Sequence, residues 1–336
     1  MSARATADAR EASAFWIFGP RQGALRTEVL PAPGEAEVLV ETIATGVSRG
    51  TETLVFQGLV PKSQHERMRA PFQEGEFGFP LKYGYASVGR VVEGAKELVG
   101  QRVFCLYPHQ NRYVVPADAV VPVPDGVPSG RAVLAANMET ALNALWDAPP
   151  RIGDRIAVIG CGVVGALAAR LAADHPGTDV QMIDLNPEKA RISRTLGLAF
   201  AAPEAAAGEA DLIIHASGQP DGLRTAFELA GFEATILDLS WYGDREVTLP
   251  LGENFHSRRL KLISSQVGAI APVMRLRRDY RDRMALALHL LADERYDALL
   301  QAPPRHFSQL PTIMAEFAEG GSDVMCQLVT YRQKHS

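Results

Sequence analysis

Gly160, Gly162 and Gly165 stand in the pattern G-x-G-x-x-G, directly after the apolar run Arg155–Ile159 and directly before an alanine-rich stretch opened by Val163 and Val164. In a strand–turn–helix setting each glycine has a mechanical task. The first permits the tight turn, the second lets backbone approach a pyrophosphate, and the third lets helix and strand pack closely. The amides at the start of the helix then face the phosphates. The next apolar run ends in Asp184, at roughly the 20-residue separation at which a carboxylate accepts hydrogen bonds from an adenosine ribose. Leu185, Asn186 and Pro187 follow it, so no cation adjoins Asp184 to receive a 2′-phosphate, and NAD is expected over NADP. Two later segments, His215–Gly218 and Asp238–Ser240, fall where strands of such a sheet end, and there Ser217 and Ser240 are small enough to let a cofactor lie against backbone. His215 could touch that ligand; a packed or solvent-facing histidine is the plainer reading.

These residues need a doubly wound parallel sheet behind them. Apolar runs at Arg155–Ile159, Asp211–Ser217, Ala234–Ser240 and Lys261–Gly268 alternate with helix-like segments such as Pro220–Gly231, which is the βα alternation of an α/β Rossmann fold. Before them the chain reads differently. Val38–Ser48, Ala86–Gly94, Arg102–Tyr107 and Arg112–Ala117 are short strands parted by proline and glycine, with a helical pattern only near Ser63–Arg69. A helix is expected over Ser129–Trp146 and another over Met284–Asp293. The final strand-like segment has no βα partner and is expected to pair back into the first part. The division expected is therefore a β-rich domain over residues 1–123 and 293–336, and a dinucleotide-binding domain over 124–292.

Composition narrows the partners. The chain has 336 residues, 47% hydrophobic and 22% charged, with a formal net charge of −5, so it lacks the basic footprint that nucleic acid requires. No apolar run is long enough to span a bilayer, and the opening residues are polar and alanine-rich, unlike a secretory signal; a cytoplasmic protein with no membrane partner is expected. Cys105, Cys161 and Cys326 lie far apart, with no spacing suited to a metal, and read as buried thiols.

Five further segments carry a resemblance over nearly the whole chain. Ala44–Glu52 (ATGVSRGTE), Tyr83–Glu93 (YGYASVGRVVE), Gly100–Phe104, Tyr113–Val127 and Ile152–Gly165 together resemble the medium-chain dehydrogenase/reductase superfamily of zinc-type alcohol dehydrogenases. The form of the first looks most like bacteriochlorophyllide dehydrogenase-type members. The resemblance implies a GroES-like β-rich catalytic domain beside the Rossmann domain, and an NAD-dependent oxidoreductase acting on a small-molecule alcohol or carbonyl. It also implies a homodimer formed through the edge of the parallel sheet.

The departures matter as much. Where catalytic-zinc members carry their ligands, this chain has Ser48, Tyr85 followed by Ala86, and Ala136 or Asn137, which do not make a tetrahedral site of sulfur and nitrogen donors. The structural-zinc lobe is missing as well. A further set, Glu52, His65, His109 and Glu139, is of a kind that chance supplies, so no metal is expected.

Without zinc, a side chain must donate to the oxygen that gains charge during hydride transfer. Tyr85, standing at a ligand position, is the first candidate, and Tyr107 or His109 in the run Leu106–Gln110 the second; a surface-loop residue explains either of the latter equally well. Ser48 and Glu52 could orient substrate or relay a proton. Arg49 could meet the cofactor pyrophosphate or a substrate carboxylate, although an ion pair with Glu52 would serve as well. By the resemblance Thr140 touches the nicotinamide, Gln266 reaches its carboxamide, and Leu59–Gly84 borders the substrate. Glu139 reads as a solvated helix residue. A quinone or enone reductase of the same fold and a non-catalytic dinucleotide sensor stand as alternatives.

Overall fold

A computed structural model describes residues 10–320 and 323–331. The opening residues 1–9, used above against a secretory signal, lie outside the described residues. The chain divides into two compact units, Met1–Ala136 with Leu300–Ser336, and Asn137–Leu299. Both divisions fall later in the chain than the change of composition suggested. The short helix Ser129–Ala132 packs on strands Glu37–Ser48 and Ser87–Gly94, which keeps residues up to 136 with the first unit. Tyr296, 2% exposed, lies within reach of the charges of Arg170 and Asp174, which keeps its segment with the second.

The second unit is a six-stranded sheet, parallel throughout, in the spatial order Ala199–Ala201, Asp179–Ile183, Arg155–Ile159, Ala210–His215, Ala230–Asp238, Lys261–Ser264. Parallel neighbours cannot be joined by a hairpin, so helices Val163–Ala172, Lys189–Thr195 and Pro220–Leu229 carry the chain back between strands. Strands buried on both faces must be apolar throughout, and Ile156, Val158, Ile213, Ile214 and Ile236 are at most 1% exposed. Burial of each such side chain contributes about 2 kcal/mol. The order reverses direction between Arg155–Ile159 and Ala210–His215. In such sheets ligands bind in the crevice beyond the strand ends at this reversal.

The first unit is β-rich. A seven-stranded sheet centres on Glu37–Ser48, which pairs antiparallel with Ser87–Gly94, Arg112–Pro116 and Cys326–Thr330. The strand Cys326–Thr330 thus returns to the first unit, as its lack of a βα partner implied. A smaller four-stranded sheet contains Glu11–Gly19 and Gln22–Val29. Val38, Val40, Val91, Val103, Tyr113 and Val115 form the core between strands.

Three local expectations change. Ser129–Trp146 is not one helix but Ser129–Ala132 and Ala135–Asp147, because the first tightens at its end, with Leu134 N–H on Arg131 O at 3.0 Å. The pattern near Ser63–Arg69 yields a single 3₁₀ turn, Lys62–Gln64. An unexpected short helix, Thr51–Phe56, follows the central strand and buries Glu52, Val55 and Phe56. No helix among the described residues is long and apolar enough to cross a membrane.

Candidate functional site

In the second unit the glycine motif forms the turn between Arg155–Ile159 and helix Val163–Ala172, with Gly162 at the helix N-cap. Gly160 has φ +97°, and a Cβ on it would stand 2.6 Å from Ser217 N and Cα; a Cβ on Gly165 would lie 2.0 Å from Gly160 O. Both are required by the packing of the chain itself. Gly162 is not: a Cβ there would meet nothing within 4 Å. Its bareness leaves the first amides of the helix approachable, which suits a pyrophosphate. Val163 is buried and Val164 half-buried behind this turn.

Asp184 follows the neighbouring strand. Its Oδ2 accepts from Cys161 N–H at 2.8 Å and its Oδ1 from Asn186 N–H at 2.9 Å. Each oxygen keeps a second lone pair for a ribose hydroxyl. The residue set therefore fits a dinucleotide. A cation missed by reading only the three residues after Asp184 stands five positions on. Lys189 is 7% exposed, and its charge pulls the Cys161 thiol down while burial and Asp184 push it up by more.

At the next strand ends, His215 is fully buried. Its Nδ1 lies 2.9 Å from Asp238 Oδ1 and its Nε2 2.7 Å from Ser217 Oγ. Ser240 Oγ accepts from Gly218 N–H at 3.0 Å. Ser217 and Ser240 are thus joined through a histidine that is packed, as the plainer reading held, and not solvent-facing. Burial pushes the Asp238 carboxyl up, but His215, Ser240 N–H and Tyr242 together hold it below the ordinary aspartate range.

Thr140 is half-buried on helix Ala135–Asp147. Its neighbour Glu139 is not solvated: it is 4% exposed and pairs with Arg283 Nε at 2.9 Å. Arg283 also donates to Asn143 Oδ1 and to Val267 O, both at 2.6 Å. That ties the helix to the turn bearing Gln266, an exposed side chain whose Oε1 accepts from Gly268 N–H at 2.6 Å.

In the first unit, Ser48, Glu52, Tyr85 and His109 come together. Strand Glu37–Ser48 ends at Ser48, and Glu52 stands in the first turn of helix Thr51–Phe56, from where its Oε1 accepts from Ser48 N–H at 2.8 Å. Glu52 Oε2 lies 2.7 Å from His109 Nε2, and His109 Nδ1 lies 2.8 Å from Thr45 Oγ1. Thr45 Oγ1 is in turn 3.1 Å from the Tyr331 hydroxyl. His109 is 1% exposed, so it is no surface-loop residue. Gly84, at φ +141°, makes room for it: a Cβ there would lie 2.9 Å from His109 Cδ2. Tyr85, next along, is half-buried, and Ser48 and Thr51 hydrogen-bond to its hydroxyl. Burial first, and then the Glu52 charge, push that phenol well above its ordinary value.

The remaining candidates separate. Tyr107 is 6% exposed and stacks on Tyr113 at 3.9 Å, as part of the core. Arg49 is exposed on the turn after Ser48. His65 lies 3.2 Å from Val60 O. Of the scattered ligand-type set, Glu52 and His109 meet, while Glu139 is held by Arg283. No three His, Cys, Asp or Glu side chains among the described residues are grouped to hold a metal ion. Ser48, Tyr85 and Ala136, or Asn137 beside it, offer a hydroxyl, a phenol and a methyl or amide group, a set without the sulfur and imidazole donors of a tetrahedral zinc site.

No family model matches the chain. The 2-desacetyl-2-hydroxyethyl bacteriochlorophyllide A dehydrogenase of Cereibacter sphaeroides is 30% identical over 199 residues, which cover 53% of this chain and 58% of that protein's length. Among solved structures, a putative zinc-binding dehydrogenase from Sinorhizobium meliloti 1021 bound to NADP has a TM-score of 0.75 at 16% identity, covering 95% of this chain and 99% of that one. A short chain alcohol dehydrogenase from E. coli CFT073 complexed with NADH has a TM-score of 0.74 at 16% identity, covering 96% and 100%. The chain has the Rossmann and GroES-like fold of the medium-chain dehydrogenase/reductase superfamily and resembles its zinc-type alcohol dehydrogenase-like and bacteriochlorophyllide dehydrogenase members in sequence.

Proposed function

We propose that the chain is a zinc-independent, NAD(H)-dependent oxidoreductase that exchanges a hydride with a small-molecule alcohol or carbonyl, with Tyr85 as the proton donor. One observation carries the reading. A phenol that keeps its proton at neutral pH, at the position the resemblance gives to a zinc ligand, is backed by two hydroxyls and a buried Glu52–His109 pair. The bound nicotinamide would supply or take the hydride; Gly162, the helix amides behind it and Asp184 would hold the dinucleotide.

Carbonyl reduction leaves charge on oxygen, and a positioned neutral phenol can donate to it. The hydrogen bonds of Ser48 and Thr51 favour the Tyr85 anion, so their hydroxyls donate to its oxygen and support the charge left after proton transfer. His109 is too deeply buried to meet substrate. It serves as a positioning residue, keeping Glu52 and through it Ser48 in place, and the hydrogen-bonded series Tyr331, Thr45, His109, Glu52 can move a proton behind Tyr85. The preference for NAD rests on Asp184, with Lys189 as the group that would relax it.

NADH consumption with a panel of aldehydes and ketones tests the reading, on protein assayed for metal. Tyr85→Phe is expected to lower kcat by about 100-fold with the fold intact. Stoichiometric zinc whose removal abolishes turnover would overturn the zinc-free site. Equal NADH and NADPH affinity would overturn the cofactor assignment. Unchanged kcat in Tyr85→Phe would favour hydride transfer to carbon, as in an enone reductase.

A further inference from the structure

We propose that His215 is a positioning residue for the dinucleotide, holding the Ser217–Gln219 turn against Gly160 at the reversal of the parallel sheet. The proposal rests on the reading of residues 137–299 as a dinucleotide-binding unit. His215 and Asp238 close adjacent parallel strands and are paired in register, so fold topology sets them side by side.

The direction of each hydrogen bond follows from the partners. Asp238 Oδ1 accepts from Ser240 N–H at 2.9 Å, and Asp238 Oδ2 accepts from the Tyr242 hydroxyl at 3.0 Å. Asp238 is therefore an acceptor on both sides, and His215 Nδ1, 2.9 Å away, must carry a proton and donate. In the neutral ring Nε2 is then a bare acceptor, which the Ser217 hydroxyl meets at 2.7 Å. Ser217 Oγ in turn accepts from Gln219 N–H at 3.1 Å. Arg245 closes the other side of the turn, donating to Gly218 O at 2.7 Å and Gln219 Oε1 at 3.1 Å. The groups bearing on His215 and its turn are thus Asp238 and Tyr242 from the neighbouring strand end, Ser217 and Ser240, and Arg245.

A serine, histidine and aspartate in this order is also the arrangement of acyl transfer. Here it does other work. A Cβ on Gly222, in the first turn of helix Pro220–Leu229, would lie 2.4 Å from Ser217 Oγ and 2.8 Å from His215 Nε2. The half-buried hydroxyl lies against the first turn of that helix and is engaged by His215 Nε2 and Gln219 N–H. What the network holds is backbone: Ser217 N and Cα stand where a side chain on Gly160 would be. A small shift of this turn moves the wall of the glycine motif.

NADH binding, followed by fluorescence, and the melting temperature of the ligand-free protein test this on five proteins: wild type, His215→Asn, His215→Gln, Ser217→Ala and the His215→Asn/Ser217→Ala double variant. Asparagine retains a donor near Nδ1 for Asp238 but leaves Ser217 without an acceptor. Glutamine reaches the Nε2 side and restores one. His215→Asn and Ser217→Ala are each expected to raise the Kd for NADH about tenfold, the two together no more than either alone, and His215→Gln less than about threefold. If His215→Asn binds NADH like wild type, or if losses of affinity simply follow losses in melting temperature across the set, the proposal is overturned. Wild-type protein that binds neither NADH nor NADPH would overturn the reading of the unit, and the proposal with it. Normal wild-type binding with unaffected variants would overturn the proposal alone.

Discussion

Each unit buries a histidine against a carboxylate, and the two pairs are wired in opposite directions. His109 presents Nε2 to Glu52 and Nδ1 to a threonine hydroxyl; His215 presents Nδ1 to Asp238 and Nε2 to a serine hydroxyl. Glu52 is 2% exposed, and the half-buried Tyr85 stands beside its cluster. The Asp238 side chain is 15% exposed, and Ser217 at the far end of its network lies against the first turn of helix Pro220–Leu229. The same chemical pair therefore serves different ends according to what stands next to it. Beside a phenol it is proposed to support proton transfer; against a helix, to fix backbone.

Removing the carboxylates should separate the two most sharply. Glu52→Ala leaves a buried histidine without its partner and is expected to cost about 3–5 kcal/mol in the transition of the first unit during urea unfolding. Asp238→Ala, at a partly solvated site, is expected to cost about 2 kcal/mol in the transition of the second. Equal losses would erase the contrast. Crossing kinetics with binding comes next. His109→Gln is expected to lower kcat about tenfold while leaving the Kd for NADH unchanged, the reverse of the pattern proposed for His215→Asn. A Kd that rises in step with the fall in kcat would mean that both histidines act on the cofactor. The smallest effect concerns pH. The folded Asp238 carboxyl lies below its unfolded value, so its contribution is complete above the ordinary aspartate range and is lost as pH falls through the lower folded value. Wild type should therefore lose melting temperature more steeply than Asp238→Asn on acidification below about pH 4. Parallel curves would show that the carboxylate charge is immaterial.

Spacing explains what could be read beforehand. Gly160, Gly162, Gly165 and Asp184 lie within one βαβ unit, where local pattern and geometry coincide. Ser48, Glu52, Tyr85 and His109 could be named singly from their flanks, but not their meeting. It depends on antiparallel register, in which Thr45 lies opposite Ser87, and on the bridge of Ala14 to Gln110, which brings in the run containing His109. Thr45, Thr51 and Tyr331 gave no signal, because a hydroxyl on a strand or turn has no distinctive spacing. The Glu139–Arg283 pair joins residues 144 positions apart and was equally hidden. His215 and Asp238 were visible as the last residues of successive parallel strands. Considering those strands in register would have paired them.

The return of strand Cys326–Thr330 to Glu37–Ser48 has a consequence for synthesis. A chain emerging from the ribosome carries every strand of the parallel sheet by Ser264, so the second unit can close while translation continues. The central strand of the first unit finds Ser87–Gly94 and Arg112–Pro116 early but must wait for Cys326–Thr330 to gain its last partner, a contact among the most non-local the chain makes. Tyr331, which meets Thr45 in the cluster behind Tyr85, arrives later still. The nascent protein can thus close its parallel-sheet unit before the Thr45–His109–Glu52 cluster gains its last member, and under the proposed function it would hold a dinucleotide before it could move a proton.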